Sequence, residues 1–324
     1  TSGTNVGLFE TLGANAEVHD ITFENVNIKG STGYTGTVAG QAESESIVQR
    51  IKVTGNISSG NYAGGILGDT QGTIENCSVD MEITGSGQYA GGIAGQTTGE
   101  SAKIVGSITK GKVTTSYTST SYVGGIAGNN SHVNSEIIEC INESEVTGKY
   151  YAGGIIAIGN GNITKSYNTG KIVLNSTGKN TYVGGIVGAV NSVIKIENCY
   201  NIGEIEGNQY AGGIIGYRNS ATTTTTTTII NSYNAGKVIS TAGSAGAIAG
   251  ATYSGVVLTN VYYITEGSVV QGTYGTEIAT YEEGAKQANY AGFDFDTIWE
   301  IQEGKTMPYL KGMTIPDQVY LSNH

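Results

Sequence analysis

A heptad of the form Tyr-[Ala/Val]-Gly-Gly-Ile-x-Gly recurs in near-identical form from Tyr62, Tyr89, Tyr122, Tyr151, Tyr182 and Tyr210. Weaker copies extend the array at Gly7-Leu8-Phe9, Tyr34–Gly40 and Ser244–Gly250, which brings the units to nine. A period of about 30 residues is the mark of a solenoid, in which each unit buries its apolar face only by stacking on its neighbours. The array therefore grows in one dimension, and chain length says little about domain number.

Composition narrows the solenoid to an all-β one. Glycine supplies 51 of the 324 residues and proline only 2, with no Gly-X-Y period, so collagen is excluded. Ile, Val, Thr and Tyr fill the short runs between glycines, and helical spacing is absent until about residue 276. Net charge is −11, with Arg50 and Arg218 the only arginines, so the phosphate attraction that nucleic-acid binding needs has no source. No apolar run is long enough to cross a bilayer, so membrane insertion is not expected. The chain opens on Thr1 without a charged or apolar leader, and we expect it to be a piece of a longer polypeptide. Asn-x-Ser/Thr triplets at Asn56, Asn142 and Asn162 are what chance supplies in so Asn- and Thr-rich a chain.

Two more strings recur within each unit. One is Ile74-Glu-Asn-Cys77, echoed at Ile137, Ile163, Ile196 and Ile229; the other is a charged residue followed by an aliphatic one, as in Lys112-Val113, Lys171-Ile172 and Glu204-Ile205. Three strand-like segments per unit, separated by Gly, Asn and Ser, predict a three-sided parallel β-helix of about nine coils with a small C-terminal cap. Insertions between the heptad and the Ile-x-Asn string predict variable loops along one edge.

Aligned by unit, two columns alternate in phase. Glu82, Lys112, Glu145, Lys171, Glu204 and Lys237 predict an outward ladder of alternating charge, which penalises a one-coil slip. Cys77, Ser107, Cys140, Ser166, Cys199 and Ser232 place the cysteines on every other coil, about 9.6 Å apart at the rise between strands, too far for a disulfide. Three free, buried thiols are expected. The heptad tyrosines predict a further stack, read as inward because Tyr and the Ile four residues later share strand parity; the alternative is an exposed platform for sugars. The Gly-Gly between them suits either positive φ or a close approach at a corner.

The Gly-Gly-Ile-x-Gly core resembles the GLUG motif, a short repeat of bacterial secreted and surface proteins that include haemagglutinin-like adhesins and accessory regions of IgA-cleaving metallopeptidases. The resemblance covers roughly residues 5–263, and it implies an extracellular bacterial setting without naming a ligand. We divide the chain into repeats over 1–263, a capping module with a short helix over 264–313, and a tail or linker over 314–324. Residues 292–310 look like the segment that closes such arrays, with Trp299, Pro308 and Leu310 expected to cover the last coil.

The sequence offers no catalytic constellation. Aspartates occur only at 20, 69, 80, 294, 296 and 317, with no matched pair on adjacent coils for glycoside hydrolysis. Arg50 and Arg218 lie far apart in the array, so a lyase-type base beside an acidic calcium cluster is not available. His19 and His132 are isolated, His324 is terminal, and the peptidases' His-Glu-x-x-His string is missing. Asp294 and Asp296 read as turn caps, and the Thr222–Thr228 run reads as a solvated loop open to contact or O-glycosylation. The expectation is a non-enzymatic chain with no catalytic, metal or cofactor residues. It would serve as adhesin, binding module or rigid spacer of a larger surface protein, with a host glycan, glycoprotein or matrix component on the variable-loop edge. Neighbouring domains of the same polypeptide would be its other partners. The alternative is an accessory domain of a secreted peptidase or carbohydrate-active enzyme.

Overall fold

The structure, a computed structural model, describes residues 4–30, 32–218, 226–252, 255–266 and 274–324. Successive units stack as parallel strands, coil on coil, and the heptad strands alone make a nine-stranded sheet running from Asn5–Val6 to Ser244–Gly246. The fold is thus the parallel β-solenoid that the repeats predict. In a typical coil, Tyr62–Gly64 forms one face, Leu67–Thr70 and Thr73–Glu75 the second, and Ser78–Gly85 the third. The two segments of the second face fuse in later coils, as in Val187–Glu197.

The corners explain the glycines and asparagines. A Cβ on Gly64 would lie 2.0 Å from the Leu67 carbonyl oxygen, and one on Gly65 would lie 2.3 Å from the Gly92 oxygen on the next coil. The Gly-Gly pair therefore permits close approach; positive φ is found elsewhere. It recurs once per coil, at Asp20, Arg50, Asn76, Gly106, Glu139, Lys165, Asn198, Asn231 and Asn260. Asn and Gly tolerate this left-handed conformation best, which accounts for the Asn of the Ile-x-Asn string. That string is consequently the end of a short strand, such as Thr73–Glu75 or Glu136–Ile138, together with the corner that follows it.

Inside, each face contributes an aliphatic column, such as Ile66, Ile93, Ile126, Ile155, Ile186 and Ile214, all fully buried. Pleat alternation sends the intervening residues out. Glu82 lies opposite Lys112 and Lys112 opposite Glu145, and backbone bonds carry the column on through Lys171, Glu204 and Lys237. Lys112 Nζ is 2.9 Å from Glu145 and Lys171 Nζ 2.7 Å from Glu204, so the alternating ladder forms in the expected register.

The cysteine column also stacks as expected. Cys77, Cys140 and Cys199 are free and buried, and their backbone N–H groups donate to the Oγ of Ser107, Ser166 and Ser232 at 3.0–3.2 Å. Beside the left-handed corner the regular ladder is broken, and the serine hydroxyl of the next coil replaces the missing carbonyl. A second interior ladder escaped the sequence reading. Asn142, Asn168, Asn201 and Asn234 are buried, and the Nδ2 of each of the first three donates to the Oδ1 of the next at 2.6–2.7 Å.

The C-terminal segment corrects an expectation. Thr276–Ile278 adds one more parallel strand to the last coil, against Tyr262–Ile264, whereas Trp299, Pro308 and Leu310 lie not over that coil but along the flank of the rod, where Tyr167, Tyr200, Tyr233 and Tyr262 form a second aromatic column. Trp299 packs on Tyr200 and Tyr233 and donates Nε1–H to Asn198 at 3.2 Å. Tyr167 and Tyr233 donate their hydroxyls to the Thr314 and Pro308 carbonyls. An aromatic patch on a flank needs a cover, and several coils are clamped at once. The helical part is one turn, Tyr281–Gly284, capped by Thr280 and followed by a 3-10 turn at Gln287–Asn289. Thr227 and Thr228 belong to the strand Thr227–Asn234, so that end of the threonine run is not loop; 222–225 lie outside the described residues.

Candidate functional site

The tyrosine stack is real, but its orientation differs from the parity argument. Tyr34, Tyr62, Tyr89, Tyr122, Tyr151, Tyr182 and Tyr210 stand one above another with ring centroids 4.4–5.5 Å apart. The residue after each, such as Ala63 or Val123, is the inward one, and the rings are mostly half-buried on the outside. The Gly-Gly corner separates two strands, so parity is not conserved from Tyr to Ile.

A second outward column faces these rings. It consists of the residue directly after each heptad: Gln41, Asp69, Gln96, Asn129, Ile158, Ala189 and Tyr217, in register along the second face. Contacts across the angle between the faces establish the groove. Asn5, which occupies the tyrosine position of the first coil, donates to Gln41 Oε1 at 2.8 Å and Thr11 Oγ1 at 3.2 Å. Tyr182 stacks on Tyr217 at 4.3 Å. The final heptad glycine makes this possible, since a Cβ on Gly68 would lie 2.8 Å from Tyr34 Cβ.

The groove changes character along the rod. Its N-terminal half is amide and carboxylate: Asp69 accepts from Thr98 Oγ1 at 2.9 Å and from Gln41 Nε2 at 3.5 Å, and burial raises its pKa. Its C-terminal half holds a cavity of about 250 Å³ lined by Tyr122, Tyr151, Ile158, Tyr182, Ala189, Asn191 and Tyr217, whose exposed surface is mainly polar. The small Ala189 between Ile158 and Tyr217 makes this notch. Burial pushes the Tyr89 and Tyr151 hydroxyls up to about 12, so they remain protonated donors at neutral pH. The post-heptad column was missed because it shares a position, not a residue type.

The other residues weighed from sequence stay apart. His19 contacts Asp20 at 2.8 Å beside the Arg50–Asp20 ion pair, His132 lies in a turn, and His324 stacks on Tyr281. Asp294 accepts from the backbone of Asp296 and Thr297, which makes it a turn cap and, with the Thr297 hydroxyl, lowers its pKa. Arg218 is fully buried near Thr227. Among the described residues, no group of three or more His, Cys, Asp or Glu side chains could hold a metal ion, and no helix is long and apolar enough to cross a membrane. Asn142 is buried in the interior ladder, which closes that triplet to glycosylation in the folded state.

No family model and no curated protein matches the chain. Among solved structures, it is similar to a crystal structure of a candidate immunoglobulin A1 protease from Bacteroides ovatus, with 16% identity over 83% of this chain and 76% of that one and a TM-score of 0.47.

Proposed function

We propose that this chain is a non-catalytic, extracellular β-solenoid that serves as a binding module or rigid spacer within a larger bacterial surface or secreted protein. The observation that carries the reading is the angle between the tyrosine ladder and the post-heptad column, which opens into a cavity across the coils of Tyr122, Tyr151 and Tyr182. A scaffold with every core column filled holds such a surface in place with little ordering cost on binding. The groove's groups are hydroxyls, amides, one buried carboxylate and aromatic edges, which recognise but lack a paired nucleophile and base. The resemblance of the heptads to the GLUG motif supports the extracellular bacterial setting. Nine coils at the strand spacing span roughly 43 Å, enough to hold a neighbouring domain away from an envelope.

Antibody raised against the solenoid tests the setting: it should label intact cells that carry the parent protein. Labelling only after permeabilisation would refute the extracellular reading. Release of product from polysaccharide or protein substrates by the purified chain would refute the non-catalytic one.

A further inference from the structure

Resting on the reading as a binding module, the geometry points to a ligand: we infer that the groove binds a neutral linear glycan lying lengthwise along the rod. The hydroxyls of Tyr89, Tyr122 and Tyr151 stand on consecutive coils, and among the described residues none makes a hydrogen bond within the protein; the same holds for the Asn129 amide across from them. Tyr122 and Tyr151 line the cavity, and Tyr89 and Asn129 occupy the adjoining positions of the two columns, so polar groups with capacity to spare repeat at a spacing close to one sugar unit. Planar amides and hydroxyls in a row suit the paired hydroxyls that a glycan repeats along its length.

Three alternatives fit less well. A platform for sugars on open ring faces is excluded by the stack itself, because each tyrosine face is already covered by its neighbour at 4.4–5.5 Å; edges and hydroxyls are what remain. An extended peptide would bind by adding a strand to a free sheet edge, and the strands walling the groove are paired with the coils on both sides. A polyanion needs cations, and neither column contains a lysine or arginine while the chain carries a charge of −11. The notch over Ala189 adds a seat for one sugar ring, lined by Ile158 and Ala189 together with Tyr122, Tyr151, Tyr182 and the polar Asn191.

Affinity electrophoresis through neutral β-glucan, mannan, galactan and arabinan, with heparin and a polyuronate as charged comparisons, tests the inference. The chain should be retarded by at least one neutral polymer, with retardation unchanged at high salt. The triple variant Tyr89→Phe, Tyr122→Phe, Tyr151→Phe keeps the stack and breaks no bond within the protein, so its thermal midpoint should hold while affinity falls about tenfold or more. Asn129→Ala and the notch-filling Ala189→Leu provide independent variants, each expected to weaken binding several-fold. Retardation by charged polymers alone, by none of the polymers, or to an equal degree by the wild type and all three variants would overturn the glycan assignment. Intact-cell labelling decides the broader reading separately, so a surface-exposed chain that ignores every polymer sinks only the ligand.

Discussion

The buried asparagine ladder offers the sharpest test of how the rod is held together. Asn168 is fully buried; its Nδ2 donates to the Gly170 carbonyl at 2.9 Å and to Asn201 Oδ1 at 2.7 Å, while its Oδ1 accepts from Asn142 Nδ2 at 2.6 Å. Replacing it with alanine removes both donors and the acceptor. Asn142 Nδ2 keeps the Ser144 carbonyl at 3.2 Å, so the uncompensated losses are the Asn201 oxygen and the Gly170 carbonyl. Each buried polar atom left unpaired costs about 1–3 kcal/mol, and the truncated amide leaves a small void, so the expected loss is about 3–5 kcal/mol. Because each coil contacts only its neighbours, the damage should centre on the coils that carry Asn142, Asn168 and Asn201. Urea unfolding measures the total, and amide hydrogen exchange locates it. A loss below about 1 kcal/mol, no larger than that of an exposed change such as Thr118→Ala, would show that the ladder follows from the fold without stabilising it.

Other expectations concern the columns and the flank. Glu145→Lys sets three like charges in a row with Lys112 and Lys171 and should cost about 0.5–1 kcal/mol at low salt, less at high salt; a salt-independent loss would point to packing instead. Lys112 holds the Glu145 carboxyl below its ordinary pKa, so this pair stabilises the fold above the unfolded carboxylate pKa and loses that contribution as pH falls through the folded one. Titrating stability against pH should show it for the wild type and not for Glu145→Gln. Burial pushes the Cys77 thiol up to about 11 and those of Cys140 and Cys199 up to about 12, so a thiol reagent should label none in the native protein and three after denaturation without reductant. Trp299 is the single tryptophan and is buried between Tyr200, Tyr233 and Phe293; Trp299→Ala should cost about 3–5 kcal/mol and open the C-terminal segment to proteolysis while the coils resist.

How much of this was legible before the coordinates varies by feature. The repeat period, the parallel stacking and the charge and cysteine columns follow from alignment of the units, because neighbouring coils occupy the same lateral position and each residue meets its own counterpart. The groove was only half legible: the tyrosines stand out by identity, whereas Gln41, Asp69, Gln96, Asn129, Ile158, Ala189 and Tyr217 share only a place after the heptad. Which way the rings face was not legible at all, since the turn at Gly64 and Gly65 breaks the two-residue alternation on which parity reasoning depends.

Local sequence, then, determined what stacks on what, because a repeat carries its partners at a known interval. Tertiary structure decided the rest: which side of the corner each column faces, the meeting of two outward columns across a re-entrant angle, and the docking of the 281–324 segment on the flank. Those depend on the angle between faces and on contacts between residues far apart in the chain, such as Trp299 and Asn198. No repeat interval encodes a contact made only once, so such a pairing becomes visible only when the coil is closed.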